Sequence, residues 1–382
     1  MNHSNISPRV LIIVPSLQSG GAELFLTRLI KELQDSVEIL LIVMKTFETE
    51  IDISDLNKIQ LVRLNMNRFK YGRGIFLSLF KFVRVVNEFK PIAIQCFLYP
   101  AELLSLVLFK KYRIFWSLRG TGNPKEGNVL KRFAMFFDIV MAKHYPLKIV
   151  ACSSAAAEWA IRLGIKKSRI EVVNNFLDDW TQNVNSESIL LSDSSNLRET
   201  GIRIGMAARV DIHKGHEILV KALSIFCSET HIPVTLTFIG RGTSALTFSR
   251  NLVLFSNVSH DLLSFEFLGE ILDPEEKARW FQKLDLYVMA SFKLEGFPNS
   301  LAEAVAIGCP AIATSSGNAK EILPTRLIIP RVDAQSISFT IKSLLEMPSN
   351  EFYKCIDISR KNISLLADKE ITCFAYLKLW LH

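Results

Sequence analysis

Short, wholly apolar runs alternate along this chain with longer stretches whose apolar residues recur at helical spacing. VLIIVP (10–15) reads as a buried strand, AELFLTRLIKELQ (22–34) as a helix with one apolar face, and VEILLIVM (37–44) as a second strand. PIAIQCF (91–97), RIFWSLR (113–119) and LKIVACS (147–153) continue the series. Runs with no polar alternation are buried on both faces, which predicts a parallel sheet covered by helices. A polar stretch, WTQNVNSESILLSDSSNLRETG (180–201), breaks the pattern and reads as a linker over 183–200. The pattern then restarts with IRIGMAAR (202–209), VTLTFIG (234–240), FEFLG (265–269), LDLYVMAS (284–291) and PAIATS (310–315), with the helix HEILVKALSIFCSE (216–229) between the first two. The expected organisation is an N-terminal domain over 1–182 and a second α/β domain over 201–365. A last helix over 366–382 follows, whose Phe374, Leu377, Trp380 and Leu381 need docking, possible across the domain junction.

A chain of 382 residues suits two domains of roughly 150–200 residues. With 49% hydrophobic and 22% charged residues it has no disordered or low-complexity character. The six cysteines are scattered, without metal-ligand or redox spacing, and read as small core residues in a reducing compartment. No secretory h-region is visible, and the longest uncharged apolar stretch, LLSLVLF (103–109), is far below the ~20 residues of a membrane span. Charge is uneven: residues 1–182 hold 25 Lys and Arg against 16 Asp and Glu, net +9, whereas 183–382 hold 20 against 22, net −2. A basic half suits an anionic partner such as a membrane surface or phosphorylated lipid. Nucleic acid ranks last among such partners, because no basic motif with interleaved aromatics is present.

Candidate chemistry gathers at strand-to-loop junctions. Ser19, Gly20 and Gly21 open the first helix, where backbone N–H groups and the helix dipole favour an anion. Arg209 ends a strand and Lys214 precedes a helix, a pair of cations suited to clamping a diphosphate. Gly240, Arg241 and Gly242 furnish a further junction. In LEGFPNSLAEAVAIGCP (294–310), Glu295 falls in a loop and Glu303 in the first turn of a helix that Asn299 or Ser300 would cap and Gly308 would close. A carboxylate there is the usual partner for vicinal ribose hydroxyls; the lesser reading makes it the capping-box partner of Ser300. YGRGIFLSLFKFVRVVNEFK (71–90) mixes Phe76, Leu79, Phe80, Phe82 and Val83 with Arg73, Lys81, Arg84 and Lys90, a basic amphipathic helix suited to an anionic bilayer.

These motifs, in this order, resemble the retaining GT-B glycosyltransferases of group 1, or family 4. EGFPNSLAEAVAIGCPAIATSSGNAKEI is similar to that family's E-x7-E signature, AARVDIHKG to its diphosphate segment, FIGRG and FLGEI to its base loops, and GGAE to its N-terminal turn. The resemblance implies α/β architecture of the GT-B type, two Rossmann-like doubly wound domains facing a central cleft. It implies Glu303 on the nucleotide ribose and Glu295 beside the donor sugar, with Arg209 and Lys214 on the diphosphate. Gly20, Gly21, Gly240, Arg241, Phe297, Pro298, Asn299, Ser300 and Leu301 would complete the donor site, with no metal and no cofactor. The implied activity is hexosyl or N-acetylhexosaminyl transfer from a nucleotide-sugar, UDP being the commonest carrier, to a glycan or lipid-linked acceptor in cell-surface polysaccharide biosynthesis. The protein would work in the cytoplasm, peripheral to the inner face of the plasma membrane. An epimerase of the same fold and a non-catalytic nucleotide-sugar scaffold are the competing readings.

The chain departs from the family in three places. QCFLYPAE (95–102) and WSLRGTG (116–122) carry no His where many members do, leaving Arg119 as the acceptor-side cation. NNFLDD (174–179) has Phe176 where the family turn has Gly. His213 is expected as a solvated loop residue.

Overall fold

The computed structural model describes residues 7–18, 20–48, 50–68, 72–120, 129–145, 147–181, 197–292 and 295–382. The chain divides into two compact units, Met1–Phe176 with Lys369–His382, and Leu177–Asp368. The polar stretch read as a linker lies, over 182–196, outside the described residues.

The first unit is built on a parallel sheet of β1 (Arg9–Val14), β2 (Glu38–Val43), β3 (Ile59–Arg63), β4 (Ala93–Phe97), β5 (Arg113–Leu118), β6 (Lys148–Ala151) and β7 (Ile170–Val172), in the order β3-β2-β1-β4-β5-β6-β7. Val10 sits in register with Ile39 on one side and Ala93 on the other, so the apolar run of β1 is central and covered on both faces. Helix α1 (Gly21–Leu33) buries Phe25, Leu26, Leu29, Ile30 and Leu33 on one face of the sheet. Helix α2 (Gly72–Phe89) places Phe82, Val86 and Phe89 on the other, together with α3 (Tyr99–Ser105), α4 (Val129–His144) and α5 (Ser154–Arg162).

The second sheet comprises β8 (Ile202–Ala207), β9 (Val234–Ile239), β10 (Leu263–Gly269), β11 (Leu286–Met289), β12 (Ala311–Thr314) and β13 (Ile328–Ile329), ordered β10-β9-β8-β11-β12-β13 and again parallel. Its helices are α6 (Leu197–Thr200), α7 (His216–Thr230), α8 (Leu246–Val253), α9 (Pro274–Gln282), α10 (Asn299–Ile307), α11 (Ala319–Ile322), α12 (Ala334–Leu345) and α13 (Ser349–Leu366). In both sheets the strand order reverses once, at β1/β4 and at β8/β11. Loops at the carboxyl ends of such strands part there and leave a crevice for a ligand.

The last helix, α14 (Lys369–Leu381), completes the first unit's core. Tyr376 and Trp380 are fully buried against β1 and β4 neighbours, and Trp380 Nε1 donates to Gln95 Oε1 at 3.1 Å. Gln95, itself buried, donates from Nε2 to Ser117 Oγ at 2.8 Å, so one side chain ties β4, β5 and α14. Of the residues expected to dock, Trp380 is fully buried and Leu377 packs against the core, and the expectation is corrected for the other two. Phe374 is 68% exposed and Leu381 39%, because the stripe through Tyr376 and Trp380 is the one that finds polar partners beneath it. Among the described residues no helix is long and apolar enough to cross a membrane.

Candidate functional site

The loops that follow β8 and β11 carry most of the second unit's candidate residues. Asp211 caps a 3-10 turn, Ile212–Lys214, by accepting from the His213 N–H at 3.0 Å. Gly215 then enters α7 with φ +81°, and a Cβ there would stand 2.3 Å from the Ala290 carbonyl oxygen. Only glycine lets the β8 loop lie this close to the end of β11. Burial works against ionisation of Asp211, yet the His213 N–H and the Arg209, His213 and Lys214 charges outweigh it and hold the carboxyl below its usual range.

The two expected diphosphate cations lie on this loop, each engaged by an acid. Arg209 Nη2 meets Asp211 Oδ2 at 3.0 Å with its side chain 57% exposed. Lys214 Nζ meets Glu295 Oε1 at 2.5 Å, and Ser291 Oγ donates to the same oxygen at 2.7 Å. Thr314 Oγ1 in turn donates to the Ser291 carbonyl, and the Phe292 N–H to the His213 carbonyl at 3.0 Å. Lys214 and Glu295 thus form one half-buried pair, held by β8, β11 and β12 together.

Glu303 sits in α10, and its environment corrects two expectations. The helix begins at Asn299 after Pro298, which makes no side-chain capping bond, so Asn299 and Ser300 are inside the helix and Glu303 is in its second turn. Ser300 Oγ is hydrogen-bonded to Tyr287 OH at 2.8 Å, and Glu303 forms an ion pair with Lys277, 2.5 Å from Oε2. There is no capping box. Gly308 closes the helix at φ +84°, as the sequence predicts. Phe297 and Leu301 have buried side chains, at 6% and 0% exposure, so what they can offer a ligand is backbone N–H at the helix start; buried Pro298 has no N–H, and its carbonyl accepts from the Ala302 N–H at 3.0 Å.

The loop after β9 brings Gly240 and Arg241 to the β8 loop. The Val210 N–H donates to the Arg241 carbonyl at 2.9 Å, the Gly240 N–H to the Gly269 carbonyl at 2.7 Å, and the Arg241 side chain is exposed. Gly240 has φ +130°, with a Cβ position 2.3 Å from the Ala208 carbonyl oxygen. His213 is half-buried, its ring edge-on to Phe292 at 5.6 Å, which corrects the solvated placement. His216 is buried against Phe238 and Phe248, and desolvation pushes its imidazole down to about 4, so it serves as a neutral core residue.

In the first unit, Gly20 is the N-cap of α1 with extended backbone, and Gly21 starts the helix. The space a Cβ on Gly20 would take is filled by the Glu23 carboxylate, 2.4 Å away, so the glycine acts through access and not through conformation. Arg119, at the end of β5, is stacked 4.0 Å over the Phe25 ring and 4.8 Å from that of Phe97. Its Nη1 donates to Asn175 Oδ1 at 2.7 Å and its Nη2 to Tyr376 OH at 3.1 Å. Both ends of the fork anchor the unit's own core. At the end of β4, where many relatives of the resembled family have His, Leu98 stands at φ +67°, a conformation that costs a bulky residue about 1–3 kcal/mol. Phe176 is a core residue, 2% exposed and edge-on to Phe25 at 5.5 Å. Its backbone is not among the positive-φ positions, so no glycine is required there. Among the described residues no three His, Cys, Asp or Glu side chains converge.

Spacing could not reveal Lys277 or Tyr376, each of which reaches its partner through the tertiary fold from a segment with no motif of its own.

Comparison with known proteins bears on the family and the fold. Residues 19–180 match the model of Glycosyltransferase Family 4, and residues 201–347 that of Glycosyl transferases group 1. This chain is a GT-B glycosyltransferase. HepE of Anabaena, crystallised in complex with UDP and glucose, superposes with a TM-score of 0.75 over 97% of this chain and 98% of its own, at 18% identity. The lipopolysaccharide outer core galactosyltransferase WaaB superposes with a TM-score of 0.64 over 97% and 98%, at 17% identity. Protein CapJ of Staphylococcus aureus is 27% identical over 165 residues, 43% of this glycosyltransferase and 40% of CapJ, so the match spans about two-fifths of that relative.

Proposed function

We propose that this glycosyltransferase moves a hexosyl or N-acetylhexosaminyl group, with retention, from a UDP-sugar to a glycan or lipid-linked acceptor of a cell-surface polysaccharide such as lipopolysaccharide, O-antigen or capsule. The observation that carries the reading is the gathering of Arg209 and the Lys214–Glu295 pair on the β8 and β11 loops at the strand-order reversal, with Glu303 on the helix that follows. The Arg209 fork and the Lys214 ammonium suit the diphosphate, and Glu303 suits two vicinal ribose hydroxyls. Leaving-group charge is then met by protein cations, without a metal or other cofactor. In retention, the C1–O bond to the diphosphate breaks while an acceptor oxygen bonds C1 on the same face, and the acceptor proton passes to the departing phosphate. The UDP and glucose bound by HepE and the lipopolysaccharide outer core galactosyltransferase activity of WaaB support the donor and the acceptor class.

A thermal-shift screen against UDP-, GDP-, ADP- and CMP-sugars with EDTA present tests this. A donor at 100 times its dissociation constant stabilises by about 2.7 kcal/mol, and the shift is expected with a UDP-sugar and lost in Glu303→Ala. Silence with every donor would sink the assignment.

The membrane part of the proposal rests on α2. Its Phe82, Val86 and Phe89 are buried, whereas Phe76, Leu77 and Phe80 are 75%, 65% and 67% exposed beside exposed Lys81 and Arg84. Residues 66–119 hold ten Lys and Arg against two acids, Glu88 and Glu102. Exposed aromatics flanked by cations suit the headgroup boundary of an anionic leaflet on the cytoplasmic side. Flotation with phosphatidylglycerol-containing liposomes is expected for the native chain at low salt and not for Phe76→Ser/Phe80→Ser. Equal flotation of the two proteins would show that α2 is not the contact.

A further inference from the structure

The carboxylate of Glu303 is enclosed by three elements. Its own helix α10 leaves the side chain 3% exposed. Helix α9, fixed by Asp273 accepting from the Glu275 N–H at 3.0 Å and by Pro274 in its first turn, buries Ala278, Trp280 and Phe281 and thereby aims Lys277 at Glu303 Oε2. The 3-10 turn Asp179–Thr181 supplies the third wall. Thr181 is 1% exposed, Trp180 Nε1 donates to Asp178 Oδ2 at 3.1 Å, and the Trp180 ring lies 5.8 Å from Lys277 Nζ. The ammonium is therefore held between a carboxylate and an indole face, with its side chain 22% exposed.

We infer that Lys277 is a positioning residue for ribose recognition, holding Glu303 turned so that its carboxylate accepts from the two ribose hydroxyls. This rests on the ribose role proposed above for Glu303. A carboxylate removed from water to this extent calls for a cation beside it, and Lys277 supplies one. The indole adds a cation–π attraction that holds the ammonium on one side, so a flexible lysine stem delivers a fixed charge. An arginine could supply the same charge, whereas a methionine could only fill the space.

Calorimetric titration of the full chain with UDP and with its 2′,3′-dideoxy analogue separates the possibilities; if the thermal screen selects another base, that base's pair is used. Wild type is expected to prefer UDP by about 10–100-fold, the range of hydrogen bonds to a charged group. Lys277→Met is expected to reduce that preference to about threefold or less while binding the dideoxy analogue as wild type does. Unchanged dideoxy binding is also the control that the fold is intact. Lys277→Arg is expected to keep most of the preference, which a merely structural role for this side chain would not predict. Full preference in Lys277→Met, or in Lys277→Gln should the methionine variant fail to fold, overturns the role of Lys277 alone. Absence of preference in wild type, or full preference in Glu303→Gln, overturns the ribose role of Glu303 and that of Lys277 with it.

Discussion

Exchanging Glu295 for alanine is expected to lower the transfer rate about 10²–10³-fold, the scale of losing one preorganised polar group at a reacting centre, while the nucleoside diphosphate binds as tightly as before or tighter. Glu295 accepts from both Lys214 and Ser291, so its removal costs the sugar-side carboxylate and at the same time frees an ammonium at the diphosphate position. The fold should survive. Lys214 remains 23% exposed and can turn toward water, which limits the stability loss to about 1–3 kcal/mol. The checks are kcat from product formation and Kd for UDP from calorimetry on the same preparation. A Kd that weakens in step with kcat would mean that Glu295 serves binding, and the proposed place beside the donor sugar would fall.

Trp380→Ala should be the most damaging single change to stability in the described structure. The side chain is fully buried, tilted against Tyr376 at 5.5 Å between centroids, and its indole N–H satisfies Gln95 Oε1 in the sheet interior. Truncation of a buried tryptophan costs about 3–5 kcal/mol, and the orphaned Gln95 acceptor adds about 1–3 kcal/mol. The same substitution at Phe374, on the same helix but 68% exposed, should stay within about 0.5 kcal/mol. Urea titrations followed by circular dichroism compare the two directly. Equal losses would contradict the docking of α14 through its Tyr376–Trp380 stripe.

The contrast between these two positions shows where reading from sequence stopped. Helix α14 is apolar on more than one side, with Ile371, Phe374, Leu377 and Leu381 competing with Tyr376 and Trp380, so periodicity alone could not choose the buried stripe. Gln95 and Arg119, far away in the chain, decide it by offering hydrogen-bond partners to Trp380 and Tyr376. Strands behave likewise. The central strands are continuous apolar runs and were legible, but β3, β7 and β13 were not. β3 and β7 have no buried residue and β13 is two residues long; an outer strand pairs on one side only and needs no unbroken apolar sequence.

At the site, the sequence by itself determined which residues stand at the strand ends. Arg209, Lys214, Glu295 and Glu303 follow β8 or β11 because a buried strand ends where polar residues and glycines begin, and that boundary is written locally. It also determined the two parallel α/β sheets, through the burial of runs such as those of β1 and β8. Only the tertiary structure decided the partnerships. Lys214 meets Glu295 across 81 residues, Lys277 reaches Glu303 from a separate helix, and Arg119 is committed to Asn175 and Tyr376. An ion pair depends on a few ångströms of separation and on how much water the fold removes, and both are fixed only when elements distant in the chain pack together.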